Sequence, residues 1–261
     1  MKNVFIVVLC SLFLVFAYAV NLSYAAYVQE GTVLLNGDSD KMFSVVTDFV
    51  ADVTYDRGAK HQSKDMEVDF YGIAPGLIYK DKAMIYGGIG AGSVKETYDI
   101  NGSKVEWESE YGLTWLVGGC VKFLEREVDW FDEAADLFIT SDIQYRNTDL
   151  DTDTVALGSE QLTSAAIQYS SMEYNDWHVA LTCGLEVGKW MPYIGAKYSD
   201  FESCVRLRTG NVVYQKDNAE ADDNFGGFIG LNFNLEDRAI GKIQAGFIDE
   251  ESVSGALTLK F

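Results

Sequence analysis

Apolar and polar residues alternate with period two from residue 42 to the C-terminus, and after Val20 no run is apolar enough to cross a bilayer as a helix. Side chains of an extended chain point to opposite faces in turn, so such a sequence builds two-faced strands. The last ten residues show the pattern. Val253, Gly255, Leu257, Leu259 and Phe261 share one face, while Ser254, Ala256, Thr258 and Lys260 share the other. Alternation also accounts for the dispersal of the 48% of residues that are hydrophobic. Two prolines, 24 glycines and 15 each of Tyr and Phe fit an all-β chain with tight turns.

Residues 1–25 read as a cleaved secretory signal. Lys2 precedes an apolar run over 4–20, and Ser23-Tyr24-Ala25 supplies the small residues needed before a cut at Ala26. Cys10 follows Leu9, where lipoprotein processing requires something small. Residues 26–41 lack sustained alternation and are expected to be a lead-in to a single domain over 42–261.

The formal charge is −20, from 20 basic and 40 acidic side chains; without Lys2 the remainder stands at 19 against 40, about −21. No basic patch exists to neutralise phosphates, which excludes nucleic acid as a partner. Asp149, Asp151 and Asp153, like Asp217, Glu220, Asp222 and Asp223, crowd into expected loops. Solvation explains them, and divalent cations on oxygen-rich loops are the alternative. Cys120, Cys183 and Cys204 are an odd set, expected as free thiols or at most one pair of Cys183 with Cys204. The chain has no zinc-ligand spacing, phosphate-binding glycine loop or Ser-His-Asp order, so no metal or cofactor is expected.

The periodicity predicts strands over 42–55, 65–79, 83–98, 105–117, 137–146, 163–188, 191–206, 225–235, 239–248 and 252–261. Segment 163–188 contains Asn175-Asp176, a turn signal. Its odd-numbered apolar residues nevertheless keep one phase throughout, which favours a single strand. Longer connections at 56–64, 99–103, 148–161 and 207–222 then fall at one end, and tight turns at 80–82, 188–190 and 235–238 at the other. The connection at 124–134 is too long for its end.

With its signal, its alternating segments, its aromatic-rich face and the terminal Phe261, the chain resembles the small bacterial outer-membrane β-barrel proteins. That resemblance implies an antiparallel up-and-down transmembrane barrel of ten strands, with eight or twelve as alternatives. It further implies contact with outer-membrane lipid and lipopolysaccharide, a periplasmic lead-in, and insertion by the barrel assembly machinery with Phe261 as the assembly signal. Apolar faces would then meet lipid. Glu106, Glu108, Glu110, Asp136, Asp142, Arg146, Glu186 and Lys197 would line the lumen, as a narrow cation-selective pore or as a closed ionic plug. Asp176 and His178, with Glu67 and Asp69 also placed inward, are similar to the Asp-His pair and facing carboxylates of the omptins, ten-stranded outer-membrane proteases. Position 67 is Glu, however, and no motif is specific to one activity. The expected function is therefore non-enzymatic, structural or narrowly porin-like with an acidic lumen and acidic surface loops, and a protease is the alternative.

Overall fold

A computed structural model describes residues 42–57, 63–100, 103–131, 133–157, 160–163, 169–209, 212–236 and 239–261. The expected signal and the lead-in lie outside the described residues. Thirteen strands form one antiparallel sheet: β1 (Phe43–Arg57), β2 (Ser63–Tyr79), β3 (Ala83–Ile100), β4 (Ser103–Ser109), β5 (Gly112–Trp130), β6 (Glu133–Leu157), β7 (Glu160–Thr163), β8 (Tyr169–Glu186), β9 (Trp190–Thr209), β10 (Val212–Glu220), β11 (Phe225–Glu236), β12 (Ala239–Phe247) and β13 (Glu250–Lys260). The terminal strand closes the sheet into a barrel by pairing with β1, from Val46↔Lys260 to Arg57↔Glu250.

Ten strands make the wall: β1, β2, β3, β5, β6, β8, β9, β11, β12 and β13. β4 shares the wall position of β5 between β3 and β6, while β7 pairs with the end of β6 and β10 with the end of β9. β8 passes through Asn175 and Asp176 without turning, as its unbroken phase requires. Three expected connections are strand instead. β6 runs on to Leu157, β9 and β10 form a hairpin across 207–220, and β5 continues to Trp130 before returning at Glu133. At the opposite extreme, β2 and β3 are joined by Lys80 and Asp81 at φ 47° and 54°, the left-handed pair that lets a tight turn follow the strand twist.

The exterior is divided by aromatic residues. One ring of them comprises Tyr71, Tyr111, Trp115, Tyr145, Trp177, Tyr198 and Phe225, joined by the contacts Tyr71–Tyr111, Trp115–Tyr145, Trp177–Tyr198 and Tyr198–Phe225. A second ring, nearer the chain termini, holds Phe43, Tyr79, Phe123, Trp190 and Phe233. Tyr71 and Tyr79, Trp115 and Phe123, and Trp190 and Tyr198 are each eight residues apart. That spacing is about 26 Å along a strand, or roughly 20 Å of height after a tilt near 40°. Between the rings the outward residues are apolar: Ile73, Leu77, Ile85, Ile89, Val117, Ile143, Val179, Leu181, Ile194 and Ile229 are all exposed, with Ile85 at 67%.

Beyond the first ring the polarity inverts. Glu67, Asp69, Glu108, Asp149, Asp151, Glu173 and Glu202 face outward. Their inward neighbours Met66, Val68, Trp107, Leu150, Met172, Tyr174, Phe201 and Val205 form an apolar core, each no more than 4% exposed. The barrel is therefore a membrane-type wall over one half and an ordinary water-soluble β-structure over the other. Within the belted half, the lumen is filled by two further apolar clusters. One centres on Phe70, Ile78, Met84, Tyr86, Leu116 and Ile240, the other on Phe138, Ala180, Tyr193 and Phe228.

Glycines make room for these rings. A Cβ on Gly195 would lie 2.0 Å from the Phe228 ring, and one on Gly118 would lie 2.3 Å from Tyr86. Glycine in a wall strand here marks a neighbour's aromatic side chain lying across it.

Candidate functional site

The densest polar cluster fills the lumen at the level of the first aromatic ring, between the apolar core beyond it and the two clusters below. Arg146 on β6 spans it, placing Nη1 3.1 Å from Asp52 on β1 and Nη2 2.5 Å from Asp176 on the adjacent β8. Arg57, at the end of β1, donates to Tyr174 Oη at 2.7 Å and to Ser199 Oγ at 3.2 Å, and its Nη1 lies 3.4 Å from Asp176 Oδ2. Ser199 in turn donates to Asp249 at 2.8 Å, and Lys197 pairs with both Asp249, at 3.2 Å, and Glu250. The guanidinium of Arg57 also lies over the Phe201 ring, 4.6 Å from its centroid.

A second set lies below. His178 Nε2 is 2.9 Å from Asp142 Oδ1, and Tyr86 donates to Asp142 and to Gln144. These groups are nearly inaccessible: Asp52, Arg57, Asp142, Arg146, Asp176 and His178 are each at most 4% exposed. Charges so far from water persist only with close partners and good hydrogen bonds, which the network supplies. A void with room for about one water molecule is lined by Arg57, Asp176, Trp177, His178, Lys197, Ser199 and Glu250.

Of the residues expected in the lumen, Asp142, Arg146 and Lys197 are in this network. Asp136 and Glu186 have the inward phase but stand opposite each other at the barrel end near the termini, where Asp136 is exposed. Glu106, Glu108 and Glu110 do not line the lumen. Trp107 between them is buried in the apolar core, and Glu108 and Glu110 are exposed. A break at Glu110 and Tyr111 separates β4 from β5, and the register against β3 changes there from Lys95↔Glu108 to Gly92↔Gly112. One extra residue exchanges the faces, so the aromatic wall read across 105–117 belongs to two different sides.

Glu67 and Asp69 are likewise corrected to the exterior, where Asp69 accepts from Tyr111 at 3.3 Å. They lie beyond the aromatic ring, where acids face water and apolar residues fill the inside. They therefore do not face Asp176 and His178. Asp176 is held by Arg146, Arg57 and Tyr174, and His178 is engaged with Asp142.

Arg57, Tyr174, Ser199, Asp249 and Glu250 are central to the network and escaped the sequence reading. Arg57 falls in the connection expected at 56–64; β1 instead runs on to it, and a register shift between Thr54 and Asp56 turns it inward. The buried charged side chains are nearly balanced, with Asp48, Asp52, Glu96, Asp142, Asp176, Asp249 and Glu250 against Arg57, Lys122, Arg146, Lys197 and Lys242. Cys120, Cys183 and Cys204 are free thiols. Among the described residues, no group of three or more His, Cys, Asp or Glu side chains is arranged to hold a metal ion.

No protein-family model matches the chain, and no curated protein matches its sequence. Solved structures similar in architecture include the outer membrane protease OmpT from Escherichia coli, at 8% identity over 84% of this chain and 95% of that one, with a TM-score of 0.43. The translocator domain of the autotransporter NalP from Neisseria meningitidis matches at 9% identity over 85% and 88%, TM-score 0.43. The transport unit of the autotransporter AIDA-I from Escherichia coli matches at 12% over 87% and 92%, TM-score 0.36. Nothing about activity or ligands is transferred from likenesses at this level.

Proposed function

We propose that this chain is an integral outer-membrane barrel whose lumen is sealed by its own side chains, and that it serves the envelope as a structural or scaffolding protein. The observation that carries the reading is the exterior band of exposed aliphatic residues between two aromatic rings, of a height that suits the apolar zone of an outer-membrane barrel. Water around such a band would be strongly unfavourable, whereas acyl chains solvate it. In this orientation both ends of the barrel chain and Phe261 lie on the periplasmic side, and the water-soluble half projects outward toward lipopolysaccharide. Export by a signal at residues 1–25 and assembly through Phe261 belong to the same reading. So do divalent cations at exposed acids such as Asp222 and Asp223.

The sealed lumen rests on the near-complete burial of the network and of the three apolar clusters. Arg57, Arg146 and Lys197 ion-paired with Asp52, Asp176, Asp249 and Glu250 make a plug, unlike an acidic selectivity ring. The non-enzymatic reading rests on the engagement of Asp176 and His178 with other partners and on the outward position of Glu67 and Asp69. Reconstitution of the mature protein in planar bilayers tests it: the expected record stays at the baseline of protein-free membranes. Regular, ion-selective current steps would overturn the sealed reading and restore a porin-like one.

A further inference from the structure

The β5–β6 hairpin runs past the mouth of the barrel and leaves one backbone edge open. The last register partner of β5 on the β3 side is Val121, opposite Ala83, and the Lys122 amide then donates to the Lys82 carbonyl at 2.8 Å. From Leu124 to Trp130 the strand is paired with β6 alone. Among the described residues, no backbone group hydrogen-bonds to the other edge of this segment. Such an edge is a template for one more strand.

Its side chains specify which strand. A register shift between Lys122 and Leu124 re-aims the segment, so that Glu125 stands opposite Phe138, Glu127 opposite Asp136 and Asp129 opposite Ala134. Glu125, Glu127 and Asp129 therefore share the face that continues the lumen wall, and Asp136 is in turn opposite Glu186 on β8. Glu125 is partly neutralised by Lys122, 2.7 Å away. Glu127 and Asp136 are like charges directly opposite one another, an arrangement that added positive charge would relieve, whereas Glu186 farther along the row already interacts with Lys260. The other face carries Leu124, Arg126, Val128 and Trp130, mostly apolar and exposed. A second copy of this chain would pair carboxylates with carboxylates, so self-association along this edge is disfavoured.

We propose that the edge of β5 at residues 124–129, open among the described residues, docks an extended basic segment of another protein by strand addition, with Lys or Arg at alternate positions against Glu125, Glu127 and Asp129. The edge follows from the fold. Only its placement in the periplasm rests on the membrane reading, so a failure here leaves that reading intact.

The test is backbone hydrogen exchange of residues 124–129 in the detergent-solubilised mature protein, with and without a nine-residue peptide of alternating lysine and valine. Added pairing should slow exchange there at least tenfold, and an alternating glutamate–valine peptide should not. The triple variant Glu125→Lys, Glu127→Lys, Asp129→Lys should exchange those preferences. Exchange that the lysine peptide leaves unchanged would overturn the proposal. So would protection that persists in the triple variant, since the peptide would then be held by the general acidity of the chain.

Discussion

Arg146 is the side chain on which the lumen network turns, because it alone reaches from β6 both to its neighbour β8 and across to β1. Its removal takes from Asp52 its Arg146 partner and leaves Asp176 to Arg57 and Tyr174, in a space with little water. Losing one partner of a buried ion pair typically costs about 3–5 kcal/mol, more than the pair itself contributes, since the stranded charge retains its full desolvation penalty. Arg146→Ala is accordingly expected to lower the urea stability of the detergent-folded barrel by about that amount. The check is the midpoint of unfolding followed by tryptophan fluorescence. A loss within about 0.5 kcal/mol, the range of an ordinary surface substitution, would show that the network is dispensable.

At the level of single elements, the barrel is built from glycine and ring pairs as much as from hydrogen bonds. On Gly195→Val, the new side chain would meet the Phe228 ring, packed between β9 and β11, and would displace it from Tyr193. Overpacking of this kind costs about 1–3 kcal/mol, and the expected result is a correspondingly lower unfolding midpoint with an unchanged circular dichroism spectrum. The strands themselves were legible in the sequence wherever phase was unbroken, as in β8 from Met172 to Thr182 or β13 from Ser252 to Lys260. They were misread where a single residue was inserted. The shifts at Thr54–Asp56, at Glu110–Tyr111 and at Lys122–Leu124 each exchange inside for outside, and nothing in the local composition announces them. The three glutamates of 106–110 were misplaced in this way, whereas Arg57 lay in an expected connection that is in fact the end of β1. Glu67 and Asp69 failed for a different reason. The alternation was right, but the apolar face of their strand, Val68, Phe70, Ala74 and Ile78, fills the lumen while Tyr71, Ile73 and Leu77 face outward, so the apolar face did not mark the lipid side.

For the whole molecule, the change in the outer surface is the organising fact: one closed sheet passes from a zone where the outside is apolar to a zone where only the inside is. The ionic layer of Arg57, Asp52, Arg146, Asp176, Lys197 and Glu250 sits where the two zones meet, at the height of Tyr71, Trp115, Tyr145, Trp177 and Tyr198. Position along the axis therefore decides what each tryptophan touches. Trp115 and Trp177 face outward at the ring, whereas Trp107 is 2% exposed inside the water-soluble half. The most direct measurement is fluorescence quenching by lipids brominated on their acyl chains, made on reconstituted variants that keep one of these tryptophans at a time. Strong quenching of Trp115 and Trp177 with little effect on Trp107 is the predicted outcome. Equal quenching of all three, or none for Trp177, would contradict the placement of lipid on which the account depends.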